Sequence, residues 1–198
     1  MNLPRELRTE RLYLRRWVLD DQEPFARLNA DARVMEFFPC ALAREESDAR
    51  VDRIEAHFER HGFGLWAVEI PGSTRFAGFI GLSIPVFEAP FMPCIEIGWR
   101  LDAEHWGRGY ATEGARAALE FGFQSLRVEE IVSYTVPGNV RSRRVMEKIG
   151  MTHSARDDFD HPVLPEGHPL RRHVFYRIGR PKLAEQDVQG GRELINGA

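Results

Sequence analysis

The sequence predicts a mixed α/β fold, one sheet with helices on its faces. Three observations predict it. Period-two apolar alternation marks strands at seven places along the chain. Apolar residues three and four apart mark helices between those places, with strands on both sides of isolated helices. The 198 residues, 43% hydrophobic and 29% charged, have the size and composition of one soluble globular domain.

The elements follow in order. Leu12 to Arg15 reads as a first strand. Asp20 or Asp21 caps a helix in which Pro24 suits the first turn and Phe25 and Leu28 face inward. A short helical piece is expected near Val34 to Phe38, ended by Pro39. From Arg44 to His61, the residues Val51, Ile54 and Phe58 form one helix face, and Gly62 supplies the stop. Three strands come next, Phe63 to Ile70, Phe76 to Val86 and Cys94 to Leu101. Pro71-Gly72-Ser73-Thr74 turns between the first two, and Pro85, Pro90 and Pro93 bracket the loop before the third. A helix from Gly109 to about Leu126 carries Ala111, Ala115 and Ala118, small enough to let it lie close to a sheet. Then come a strand, Glu130 to Val136, and a helix, Val140 to Ile149, stopped by Gly150. Met151 to Phe159 and His173 to Ile178 are the last strands. Residues 1–180 read as a single domain and 181–198 as a polar, weakly ordered tail.

Charge and composition exclude several functions. A net charge of -3 provides no basic field for nucleic acid or membrane. Cys40 and Cys94 form no CxxC pair, which argues against a disulfide framework or a structural zinc. The N-terminus has no apolar signal segment, and no apolar run approaches the roughly 18 residues that span a bilayer. The expectation is a cytoplasmic protein.

The most informative stretch runs from Glu96-Ile97-Gly98-Trp99-Arg100-Leu101 to His105-Trp106-Gly107-Arg108-Gly109-Tyr110-Ala111-Thr112-Glu113. A strand enters a glycine turn that opens a helix. The first N–H groups of a helix have no intrahelical acceptor, and the helix dipole favours an anion before them. Gly107 and Gly109 let such an anion approach the backbone, and Arg108 adds a cation. The spacing is not that of a Rossmann turn, since position 112 is Thr, nor of a Walker loop. By itself the turn reads first as an ordinary strand-to-helix connection whose glycines serve local geometry.

The stretch resembles the acetyl-CoA-binding motif of the GNAT N-acetyltransferases, Q/R-x-x-G-x-G/A, with Trp106 at the first position. Two further segments resemble the RimJ/RimL-like subgroup. They are Leu7-Arg8-Thr9-Glu10-Arg11-Leu12-Tyr13-Leu14-Arg15 and Asn139-Val140-Arg141-Ser142-Arg143-Arg144-Val145-Met146-Glu147-Lys148-Ile149-Gly150-Met151. The matches are in family order and span residues 7 to about 178. The resemblance implies a mostly antiparallel sheet of about seven strands flanked by helices on both faces. It implies acetyl-CoA as co-substrate, no metal, and a primary amine as acceptor on a small molecule or a peptide, in a monomer or homodimer. It implies that pantetheine pairs with the backbone around Trp99 and Leu101. The pyrophosphate then lies on the N–H groups of Gly107, Arg108, Gly109, Tyr110, Ala111 and Thr112, and Asn139 and Ser142 hold the cofactor from the next helix. Asn139 also fits a helix N-cap.

Acetyl transfer from a thioester needs a neutral amine, and lysine-type amines titrate at about 10.4. A base is therefore useful. Glu96 is the first candidate, since alternation puts Glu96, Gly98 and Arg100 on one strand face. The alternative is a structural pair with Arg100 or Arg177. Asp158 and Asp160 are weaker candidates. A backbone N–H near Gly98 or Trp99 suits the oxyanion. Many family members carry Tyr where this chain has Met146, and the resemblance implies Ser142, one turn earlier on the same helix, as the subgroup's alternative, as proton donor or simply as a cofactor contact. Arg141, Arg143, Arg144 and Lys148 either reach a cofactor phosphate or form a solvated face.

Asp157, Asp158, Asp160, His161, His168 and His173 raise a competing metal-hydrolase reading, but their spacing matches no metal motif and prolines make the segment a loop. That loop and Phe87 to Phe91 are nominated as walls of the acceptor pocket. Trp66, Trp99, Phe37 and Phe38 read as core. A non-catalytic acyl-CoA-binding protein is the other alternative, resting on Met146.

Overall fold

A computed structural model describes residues 3–181. Of the expected tail, 181–198, residues 182–198 lie outside the described residues. The strands are β1 (Leu7–Arg8), β2 (Tyr13–Arg15), β3 (Leu65–Glu69), β4 (Gly78–Ser83), β5 (Glu96–Leu101), β6 (Glu130–Thr135), β7 (Thr152–His153), β8 (Phe159–Asp160) and β9 (Arg172–Gly179). The helices are α1 (Gln22–Ala30), α2 (Arg44–His61), α3 (Tyr110–Gln124) and α4 (Val140–Lys148). The sheet order is β1-β2-β3-β4-β5-β6-β9-β7, with β8 also paired to β9. Every pair is antiparallel except β5 with β6.

Side-chain alternation assigns the two faces. Ile80, Leu82 and Ile131 face α3. A Cβ on Gly114 would come within 2.5 Å of Ile80, and one on Gly122 within 2.6 Å of Ile131. Small residues on α3 are therefore what lets helix and sheet meet. On the opposite face Phe79 packs edge-on against Phe25 of α1, at 6.0 Å. Arg15 is buried on this face and forks onto Asp21, at 2.7 and 2.9 Å, with Glu69 at 3.1 Å. Asp21 precedes α1 as expected, but its carboxylate serves Arg15 and the Val18 N–H rather than capping the helix.

Three expectations are corrected, and one strand is added. Residues 34–38 form turns rather than a helix, because five residues cannot offset the entropy of nucleating one. The strand expected to reach Val86 stops at Ser83, two residues before Pro85, which has no N–H to pair. The strand expected over 151–159 is two short pieces separated by a turn in which the Asp157 N–H donates to the Ser154 carbonyl. β1 adds a short edge strand held by Leu7 opposite Leu14. No helix among the described residues is long and apolar enough to cross a membrane.

Candidate active site

β5 and β6 meet at one register position, Glu96 opposite Val132. The Val132 N–H donates to the Ile95 carbonyl and the Ser133 hydroxyl to the Ile97 carbonyl, both at 2.9 Å. Beyond Ile97 the strands part. The two main-chain groups of a strand residue point the same way, and alternate residues point to opposite neighbours. Trp99 and Leu101 therefore turn their main-chain groups toward β6, into the opening. The Leu101 carbonyl is already taken by the Trp106 indole N–H, at 2.9 Å. Trp106, the residue that departs from the Q/R-x-x-G-x-G/A pattern, thus ties the turn to the strand end. Trp99 faces the gap with both groups. The gap widens into a cavity of about 660 Å³.

The glycine turn forms one end of this cavity. Gly107 and Gly109 have φ of +74° and +84°, a left-handed backbone that strains any residue with a Cβ. The Glu113 N–H is bonded to the Gly109 carbonyl at 3.0 Å, so the N–H groups of Tyr110, Ala111 and Thr112 precede the helical ladder. Gly107, Gly109, Tyr110, Ala111 and Thr112 all line the cavity. Arg108 does not. Its side chain is exposed, and its carbonyl accepts from Arg11. Glu113 fixes the helix start to the N-terminal segment, accepting from the Thr9 hydroxyl at 2.6 Å and the Arg11 N–H at 2.8 Å. Burial opposes its charge, but these bonds overcome it and hold the carboxyl below its ordinary range. The two sequence motifs are therefore one physical unit.

The start of α4 forms the next wall. Asn139 is its N-cap: Oδ1 accepts from the Ser142 N–H at 3.2 Å, and Nδ2 donates to Thr135 at 3.1 Å. Asn139 and Ser142 both line the cavity. Met146 is 1% exposed and belongs to the core. Arg141, Arg144 and Lys148 reach the cavity, Arg141 while paired to Glu36 and stacked on Trp106. Arg143 turns away to Tyr176 and the Pro137 carbonyl.

Glu96 stands where the strands part. Its Oε2 accepts from the Tyr134 hydroxyl at 2.7 Å. Its Oε1 lies 4.0 Å from where a Cβ on Gly98 would be, and apart from the glycine's own chain neighbours nothing else lies within that distance. The free carboxylate oxygen thus looks over a glycine into open space. Burial pushes the Glu96 carboxyl up to about 7, against the Tyr134 hydrogen bond and the charge of Arg50. Tyr134 is pushed above its ordinary range by its own burial and by Glu96. The alternative pairing is not seen: Arg177 bonds Glu130 and Asp157, and Arg100 bonds Asn29.

The loop before β9 and residues 87–91 do come together. Phe87 packs on His161 at 4.6 Å and on Tyr134 at 5.8 Å, and Phe91 packs on Phe175 at 4.5 Å. The cavity surface itself is His161, His173, Val163 and Leu164, with Phe87 and Phe91 behind. Burial holds both histidines below their ordinary range. Asp158 and Asp160 do not line the cavity; they serve His153 and Arg172. Among the described residues no three His, Cys, Asp or Glu side chains converge as metal ligands. Trp66 is core as expected, whereas Trp99, Phe37 and Phe38 line the cavity. Tyr134 and Arg50 escaped the sequence reading. Tyr134 shares the period-two face of Val132 on β6, a usable signal; Arg50, on a helix dense in charge, offers none.

The comparisons with known proteins agree with this geometry. The acetyltransferase (GNAT) domain family matches residues 11–152. An N-acetyltransferase of Bacillus subtilis, YnaD, is 29% identical over 170 residues, covering 86% of this chain and 94% of the relative. The crystal structure of a GNAT-family acetyltransferase from Bacillus anthracis superposes with a TM-score of 0.73 at 26% identity, covering 88% of this chain and 98% of that one. Mycobacterium smegmatis RimJ, in complex with CoA-disulfide, shares the fold with a TM-score of 0.68 at 18% identity, covering 85% of this chain and 81% of that one. The splayed strand pair and the glycine turn both lie within the residues that the family matches. The chain belongs to the GNAT acetyltransferases, and it is an acetyltransferase enzyme.

Proposed function

We propose that the chain binds acetyl-CoA in the cleft between β5 and β6 and acetylates a primary amine by direct attack in a ternary complex. The observation that carries this is the free Oε1 of Glu96 looking over Gly98 at the mouth of the splay. The pyrophosphate lies on the N–H groups that open α3, where the dipole and unpaired donors favour it. The pantetheine runs along the main chain of Trp99 and the N–H of Leu101. The amine nitrogen bonds to the acetyl carbon and the C–S bond breaks. The amine proton passes to Glu96, directly or through water, and the sulfur leaves as a thiolate that takes a proton. A carboxyl titrating near 7 accepts a proton at neutral pH and releases it afterwards. The Trp99 N–H is the donor for the oxyanion. Ser142 supplies a hydroxyl on the cofactor side. A thiol titrates at about 8.5, so its departure needs little acid assistance.

The motif wording over residues 106–113 and 139–151 supports placement beside the RimJ/RimL-like enzymes. The acceptor classes consistent with that placement are a protein N-terminus and a small-molecule amine. The test is thiol release from acetyl-CoA with a panel of amines, with products identified by mass spectrometry. Turnover on an amine, lost in Glu96→Gln, is expected. Tight acetyl-CoA binding without turnover on any amine would instead support a non-catalytic acyl-CoA-binding protein.

A further inference from the structure

Two arginines in the acceptor half of the cavity have no carboxylate partner within ion-pair distance among the described residues. Arg100 is 5% exposed and lies on the Glu96 face of β5, two residues beyond Gly98. Its Nη1 donates to Asn29 Oδ1, and its guanidinium stacks on Phe38 at 4.0 Å. Its Nε is buried and has no hydrogen-bond partner. Arg50 of α2 lines the same cavity, and its Nε is likewise buried and unpartnered. Arg171 and Arg177 also have a buried Nε without a hydrogen-bond partner, but each is ion-paired to a carboxylate, as are the inward-facing arginines near α1 and α2. Arg15 holds Asp21 and Glu69, and Arg16 holds Glu55 and Glu59.

A guanidinium keeps its proton inside a protein, and burying it uncompensated is unfavourable. The cavity therefore carries fixed positive charge where the acceptor must sit. The charge is also oriented. Asn29 donates through Nδ2 to the Ser47 hydroxyl at 3.1 Å, which turns its oxygen toward Arg100. Arg100 is thus held from one side, and it lines the cavity with no carboxylate of the described residues to balance it. The planar fork of arginine matches a carboxylate. Glu96 and Arg100 bracket Gly98, each about 7 Å along the strand from it at the usual rise per residue.

Resting on the acetyl-transfer reading of this cleft, we propose that the acceptor is a small amine that also carries a carboxylate, held by Arg50 and Arg100 while Glu96 faces its nitrogen. An ammonium at Glu96 and a carboxylate at the arginines complement both charges of the cavity. A polyamine or aminoglycoside would place further cations against two unpaired arginines.

The test runs thiol release from acetyl-CoA with the common L-amino acids, β-alanine and γ-aminobutyrate, each beside its own carboxamide, and with putrescine and phosphoethanolamine. In parallel, binding of the N-acetyl amino acids to the protein with CoA is followed by calorimetry. At least one amino acid is expected to be acetylated with a kcat/KM about tenfold or more above its carboxamide. Arg50→Gln is expected to raise KM for that acid by about tenfold or more. It should leave KM for acetyl-CoA unchanged and touch acid and carboxamide alike only through the loss of its charge beside Glu96, so the acid-over-carboxamide preference itself should fall about tenfold, and Arg50→Lys should recover part of that preference. Arg50, half-buried, is the better site for substitution, since Arg100→Gln disturbs a buried contact and can unfold the protein. Carboxamides, putrescine or phosphoethanolamine turned over as well as the acids, or an Arg50→Gln effect equal on acid and amide, would overturn the carboxylate while leaving acetyl transfer intact. No turnover on any amine, with N-acetyl amino acids bound by wild type and not by Arg50→Gln, would overturn acetyl transfer and keep the anion subsite. No turnover and no such binding would overturn the subsite.

Discussion

On the proposed reading, the donor and acceptor halves of the cleft are built from different materials. The donor half is main chain: the N–H groups at the start of α3, the free edge of β5 at Trp99, and two glycines in left-handed conformation. The acceptor half is side chains: Glu96 on β5, Tyr134 on β6, Arg50 on α2, Arg100 over Asn29 of α1, and the histidines near β9. A main-chain site is fixed by backbone conformation and tolerates most side-chain changes outside its glycines. A side-chain site depends on each group separately, so single substitutions there should separate chemistry from donor binding.

That contrast can be broken by substitution. The largest effect is expected from Glu96→Gln, which removes the proposed base and should lower kcat about a hundredfold or more while leaving acetyl-CoA affinity within about twofold. Rapid thiol-release kinetics with calorimetric donor binding check this. Gly109→Ala should act oppositely. Left-handed backbone costs about 1–2 kcal/mol for a residue with a Cβ, so donor KM should rise about tenfold with the pH profile of kcat unmoved. Ser142→Ala should lower kcat less than about tenfold, since thiolate departure needs little acid; a hundredfold loss would make Ser142 the proton donor. Asn139→Ala should cost about 1 kcal/mol through the lost N-cap, a drop of about 2–4 °C in melting temperature.

Glu96 also links stability to pH. Its carboxyl is raised in the folded chain from 4.5 to about 7. The folded state therefore keeps a proton that the unfolded chain releases, and stability from this group falls as pH rises through that window. Denaturant melts of wild type against Glu96→Gln across the same window should converge at low pH and separate as pH rises, with wild type the less stable.

The glycine turn and the α4 cap were legible because a left-handed turn needs glycines and a helix start needs a cap, each at a fixed spacing. Gly107, Gly109 and Asn139 are where that spacing put them. Arg108 was the exception, since spacing says nothing of where a long exposed side chain turns. The acceptor half was legible only along single strands. Alternation gave Glu96, Gly98 and Arg100 one face, but Tyr134 meets Glu96 across 38 residues of sequence and Arg50 arrives from another layer. Phe38 misled for a related reason. Its hydrophobicity predicted core, yet the turns over 34–38 leave it on the cavity wall over Arg100. Short edge elements such as β1 and β7 carry too few residues to show a period.

The central claim is amine acetylation with Glu96 as base, and kcat measured from about pH 5 to about pH 9 at saturating acetyl-CoA and acceptor tests it most directly. N-acetylated product should form with kcat rising through about pH 7 to a plateau, and Glu96→Gln should abolish the rise along with most of the rate. Product formed by Glu96→Gln at the wild-type rate and with the wild-type pH profile would contradict the account.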